Sequence, residues 1–169
     1  MDAIVYESHT GHSKQYAELL GKKLNLPVYS LKDAKKSLSV NAEIIFFGWL
    51  MAGNASGYDK AHKRYNVRAL CAVGMCADTN NKQLTDLEKK YRIDHGDIFY
   101  LPGGFEQDKL RGIYKFMMSG MKNMMQSLEN KGELSESEKQ TLEMYKSGGN
   151  IVSEDNLAPV ILWYEKTVR

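Results

Sequence analysis

The residues best equipped for chemistry stand near the start of the chain, in Ser8-His9-Thr10-Gly11-His12-Ser13. Three hydroxyls flank one glycine there, and the segment runs into a helical pattern with Tyr16, Leu19, Leu20 and Leu24 on one face. The first amides of a helix lack intrahelical partners, and its dipole favours negative charge. Hydroxyls donate to anion oxygens, and a glycine lets backbone approach them closely. The pattern points to a seat for a phosphate-sized anion. A serine or threonine cap would account for one hydroxyl, not for three. Neither GxxxxGK[ST] nor GxGxxG occurs in the chain, which argues against a nucleoside triphosphate or a Rossmann-type dinucleotide.

Other reactive side chains are scattered. His9 or His12 could lend charge to the anion. The four histidines, His9, His12, His62 and His95, have no ligand spacing, and no metal is expected. Cys71 lies in an apolar run and reads as core; Cys76 follows it without a partner that would make it a nucleophile. No catalytic acid or base is marked.

These residues need a scaffold. Short apolar runs at residues 3–6, 27–31, 44–47, 68–75 and 97–101 read as strands, and the third and fourth are apolar enough to be buried on both faces. Helical patterns at 11–24 and 79–92 alternate with them, the second with Leu84, Leu87 and Tyr91 on one face. Such alternation implies right-handed crossovers and a doubly wound, five-stranded parallel sheet in an α/β fold. Ligands of such sheets sit beyond the carboxyl ends of the strands, where strand order reverses. The loops after the first, third and fourth strands are therefore the ones to inspect. Beyond residue 104 the rhythm changes to helices, an insertion over 105–150 that precedes a C-terminal helix at 156–168, with Asn156 as its expected cap.

The 169 residues suit one domain, and 23 Lys plus Arg against 21 Asp plus Glu leave +2, too even for a nucleic-acid binder driven by bulk charge. Two cysteines make no disulfide framework, and the N-terminus has no signal-peptide pattern. A cytoplasmic protein is expected.

The loop Ser8-His9-Thr10-Gly11-His12-Ser13 resembles the [S/T]-x-T-G-x-[S/T] phosphate loop of flavodoxins at every fixed position. The tract GGFEQDKLRGIYKFMMSGMKNMMQ, residues 103–126, resembles more specifically the segment after the fifth strand in menaquinone-dependent protoporphyrinogen oxidases, which are flavodoxin-like enzymes. The resemblance implies FMN, its phosphate in the first loop and its ring between the loops after the third and fourth strands. The third-strand loop, residues 48–58, would offer Trp49, Leu50, Met51 and Tyr58 to the ring face, and Ala52, Gly53, Asn54 and Ser56 to its edge. The fourth-strand loop would contribute Met75, Cys76, Ala77 and Asp78. It lacks the aromatic ring usual in flavodoxins. Asp78 could equally serve the start of the next helix.

Five of the nine methionines lie between residues 117 and 125. Leu110, Ile113, Met117, Met121, Met124 and Leu128 form a stripe expected to pack inward, leaving Phe116, Met118 and Met125 outside. With the lysines beside it, the segment 109–128 suggests a contact with a membrane surface, a quinone or a partner. Three functions follow: an FMN redox carrier with a redox partner protein or a quinone, a quinone-linked oxidase of the protoporphyrinogen type, or a flavin-free interaction module.

Overall fold

The computed structural model describes all residues except Thr79, His95, Arg111 and 168–169, together with every other side chain but that of Ser137. The chain runs β1 (Ala3–Glu7), α1 (His12–Leu24), β2 (Val28–Ser30), α2 (Leu31–Ser37), β3 (Glu43–Met51), β4 (Asn54–Ala55), α3 (Tyr58–His62), β5 (Asn66–Gly74), α4 (Lys82–Tyr91) and β6 (Ile98–Pro102). β7 (Gly104–Phe105) and β8 (Gly149–Asn150) then enclose α5 (Ile113–Lys131) and α6 (Glu136–Ser147), and α7 (Ala158–Thr167) follows.

The main sheet has the order β2-β1-β3-β5-β6, all parallel. This is compatible with a flavodoxin-like fold, the order reversing between β1 and β3. Side chains alternate between two cores, as a period of two requires. Ala3, Val5, Ile44, Phe46, Leu70 and Ala72 face α2, α3 and α4. Ile4, Ile45, Phe47, Ala69, Cys71 and Val73 face α1 and α7. Cys71 is fully buried, and that burial holds its thiol pKa well above the ordinary value. Tyr16, also fully buried, ties α1 to the end of β6: its hydroxyl donates to the Pro102 carbonyl (2.6 Å) and accepts from Asn156 Nδ2 (2.7 Å). Asn156 therefore spends its side chain on tertiary bonds instead of capping the last helix.

The sheet has six strands, not the expected five. β3 continues past Phe47 to Met51 and folds back through Ala52 and Gly53, both at positive φ (47° and 71°), into antiparallel β4. Two consecutive left-handed residues make the tight turn whose twist matches a hairpin. Gly48 permits this return, since a Cβ there would stand 2.8 Å from the Ser56 carbonyl oxygen.

The methionine helix is turned differently from expectation. Tyr114, Met118, Met125 and Leu128 face a third core with Phe105, Leu110, Leu134, Leu142 and Tyr145, while Ile113, Phe116, Met117, Met121 and Met124 are exposed. Leu and Met occur on both sides of α5, so spacing alone could not choose the buried side. Lys115 and Lys122 sit two residues from Ile113 and Met124, roughly 160° around a 3.6-residue helix from that exposed strip. Among the described residues, no helix is long and apolar enough to cross a membrane.

Gly21 is buried in α1 against β2, and an added Cβ would overlap the Val28 Cγ2 methyl and come within 3.1 Å of the Leu26 carbonyl oxygen. Gly21→Ala should therefore lower stability by about 1–3 kcal/mol in urea unfolding, despite alanine's better helix propensity. Equal or greater stability would mean that α1 shifts freely on the sheet.

Candidate functional site

The order reversal leaves a cleft of about 280 Å³ above the carboxyl ends of the sheet. Its polar end is built by the loop between β1 and α1. Gly11 is the N-terminal cap residue of α1 at φ +104°, a conformation that suits glycine, and no side chain caps the helix. The Ser8 hydroxyl instead accepts from the Gly11 amide (3.1 Å) and shapes the loop. The first helical bond runs from the Gln15 amide to the Gly11 carbonyl (2.9 Å), so His12, Ser13 and Lys14 have no intrahelical acceptor. Simple capping does not describe this loop.

Three buried side-chain polar atoms among the described residues lack a hydrogen-bond partner: His9 Nε2, His12 Nε2 and Ser13 Oγ. All three residues, with Thr10, line the cleft. Ser13 is fully buried and His12 is 4% exposed, so water does not reach them freely. A buried polar atom left unpaired costs about 1–3 kcal/mol. Their convergence at a helix N-terminus is what an anion-binding site requires.

His12 is positioned from two sides. Its Nδ1 lies 3.1 Å from the Thr10 hydroxyl, and its Nε2 lies 2.9 Å from Glu106 Oε2, at ion-pair distance but without hydrogen-bond alignment. Gly103 makes room for it, since a Cβ there would stand 3.0 Å from His12 Cβ. Burial lowers the His12 pKa and outweighs the Glu106 carboxylate, which acts in the opposite direction; Lys109 lowers it further. Glu106 is held below the ordinary carboxylate range, first by its hydrogen bond from Lys109 at 2.8 Å.

The rest of the cleft is mainly apolar. Trp49, Leu50, Met51, Ala52 and Gly53 line it from β3 and the hairpin turn, and Val73, Gly74, Met75 and Cys76 from the end of β5. Tyr100 braces this second edge: its hydroxyl donates to the Cys76 carbonyl (2.6 Å) over Gly74, where any side chain would collide with the ring. The opposite wall comes from the helical segment, with Phe105, Leu110, Tyr114, Met117, Met118, Met121 and Tyr145. The Tyr114 ring lies 4.4 Å from that of His9 and 5.5 Å from that of Trp49, centroid to centroid. It supplies an aromatic wall that the loop after β5 lacks. No local sequence signal marked Tyr114 or Tyr145, because tertiary packing alone brings α5 and α6 over the sheet edge.

Five expected ring contacts lie outside the cleft lining. Asn54 is exposed in the hairpin, donating to the Ala52 carbonyl (3.1 Å) and accepting from Lys90. Asp78 accepts from the Leu84 amide (2.9 Å) and, with Ala77, lines a separate cavity beside β6. Ser56 and Tyr58 also lie outside the cleft lining, Tyr58 buried against Phe46 and Tyr91. Thr79, in the same loop as Asp78, lies outside the described residues. Among the described residues no three His, Cys, Asp or Glu side chains converge as metal ligands; His95 lies outside them.

Because the folded state lowers the His12 pKa, the unfolded chain binds the proton more tightly. Stability is then lost as pH falls below about 6.5, histidine's ordinary value. Thermal unfolding of the parent between about pH 7.5 and about pH 5.5 should show this loss, and His12→Gln should reduce it. An unchanged slope in the variant would show that His12 is not held neutral.

Comparison with family models, with curated proteins and with solved structures finds no match to the chain.

Proposed function

We propose that the chain is an FMN-binding, flavodoxin-like redox protein that carries electrons between a reductant and an acceptor. The single observation that carries this reading is the fully buried, unpartnered Ser13 hydroxyl at the start of α1, facing an otherwise apolar cleft. A ligand complementary to both ends has one anionic group and a flat apolar body. FMN is such a ligand. The GxGxxG turn that ordinarily seats a dinucleotide's pyrophosphate is absent from the sequence, so FAD fits less well.

In this reading Thr10, Ser13 and the free amides of the first turn of α1 hold the phosphate, as the resemblance to the flavodoxin loop implies. His12 is the neighbouring donor, with Glu106 and Lys109 keeping its surroundings near neutral. Trp49, Leu50, Met51, Met75 and Tyr114 offer the apolar faces for the ring and exclude water from them. FMN, when bound, supplies the electron chemistry, and the protein positions it and tunes its electronics.

A second reading, a quinone-linked oxidase related to the protoporphyrinogen enzymes, is favoured by one observation. Met117, Met118 and Met121 of α5 wall the cleft, in the tract that resembles those enzymes. A carrier to a protein partner would more simply leave that edge open.

Titration of the flavin-free protein should give tighter binding of FMN than of FAD. Ser13→Ala removes an unpaired buried hydroxyl, so the empty variant should gain about 1 kcal/mol of stability while FMN affinity falls about tenfold. Unchanged FMN affinity, or a preference for FAD, would contradict the reading.

A further inference from the structure

The segment between β7 and β8 is nearly a separate body. It has its own core, in which Phe105, Leu110, Met125, Leu134, Leu142 and Tyr145 are buried away from both faces of the main sheet. Its two helices pack mainly on each other, and α6 packs on β7. Chain entry and exit are neighbours, since Gly104 pairs with Asn150 and Phe105 with Gly149. That junction is rich in glycine. Gly104, Gly148 and Gly149 have φ of +103°, +67° and +138°, values that other residues rarely adopt. Gly103, just below, is fastened to the sheet by its amide to the Gly74 carbonyl (2.7 Å) and its carbonyl to the Ile151 amide (3.1 Å).

Across the cleft the segment is held by few polar or aromatic contacts. Tyr114 rests on His9 and Trp49, Glu106 stands at His12, Met75 packs against the segment's core, and the Cys76 thiol lies 3.9 Å from the Gln140 carbonyl and bonds with the Thr141 side chain. Tyr114 thus touches the polar end through His9 and the β3 edge through Trp49. The volume left beneath, about 280 Å³, lies just under the roughly 300–1,000 Å³ of sites for drug-sized ligands.

We infer that residues 105–147 form a lid that moves as one unit about Gly104 on one side and Gly148 and Gly149 on the other, and that Tyr114, seated on His9 and Trp49, is its clasp. Opening separates the helical wall from the sheet edge and lets a ring enter between them. The existence of the lid is independent of which ligand enters. Only the identity of that ring rests on the flavin reading.

Amide hydrogen exchange on the full chain, with no ligand added, tests this directly. Amides of α5 and α6 should exchange as one group and faster than those of β1, β3 and β5, as sub-global opening requires. Tyr114→Ala should speed exchange throughout both helices roughly tenfold and leave the three strands unchanged, the effect of losing about 1.4 kcal/mol from its two ring contacts. Glu106→Gln, which alters a tie outside both helices, should accelerate the same set by less. If helices and strands exchange together, or if Tyr114→Ala affects only the first turn of α5, no lid exists. A parallel arm with FMN separates the two ideas. Slowed exchange in α5 and α6 supports both, whereas independent lid opening without any FMN binding leaves the lid standing and removes the flavin.

Discussion

The start of α1 is the constraint on which the rest of the site depends. A parallel strand delivers the chain to a helix whose first amides point at the sheet's reversal point, and the helix itself offers those amides no acceptor. Here the conflict is sharper, because Ser13 is fully buried beside those amides with its hydroxyl unpaired, and the buried His12 Nε2 has only an unaligned Glu106 carboxylate near it. A fold selected for stability alone would replace them with apolar groups of similar size. It tolerates them because the cores on both faces of the sheet are built independently of this loop. The surplus polarity is then available to a ligand.

The surroundings of that loop serve to keep it in place. Tyr16, one helical turn below, bonds to Pro102 and Asn156 and fixes α1 against the end of β6. Gly103 has no side chain at the point where His12 crosses it, and Gly74 leaves the space over which Tyr100 reaches the Cys76 carbonyl. Small residues at the carboxyl edge thus bring polar loop, β5 edge and helical wall within reach of one another. The helical segment stands apart from this arrangement, with its own core and a glycine junction. Rigid sheet and separable wall divide the tasks of holding a ligand and admitting it.

Much of this was legible in the sequence, for identifiable reasons. Residues 44–47 and 69–75 are apolar without alternation, which doubly covered strands tolerate, and their alternation with helices implies the parallel order. The loop from Ser8 to Ser13 was legible because its chemistry is local. The β4 hairpin was not, since Ala52 occupies a left-handed position where Asn or Gly usually signals the turn. The orientation of α5 was hidden by apolar residues on two of its sides, and only Phe105, Leu142 and Tyr145 decide which side is covered. Tyr114 as a cleft wall depends on packing between distant segments, to which no local spacing corresponds. Asn54 and Asp78 lie outside the cleft lining for the converse reason: short polar side chains near turns are readily taken up by nearby backbone and lysine groups.

In the proposed flavoprotein the cleft recognises its ligand chiefly through one phosphate at the start of α1. The most direct measurement compares FMN with riboflavin, which shares the ring and lacks the phosphate, by equilibrium titration of the same protein. The account predicts that riboflavin binds at least about a hundredfold more weakly, the loss of some 2.7 kcal/mol expected when several charge-assisted hydrogen bonds are removed. Equal affinity for the two would contradict it.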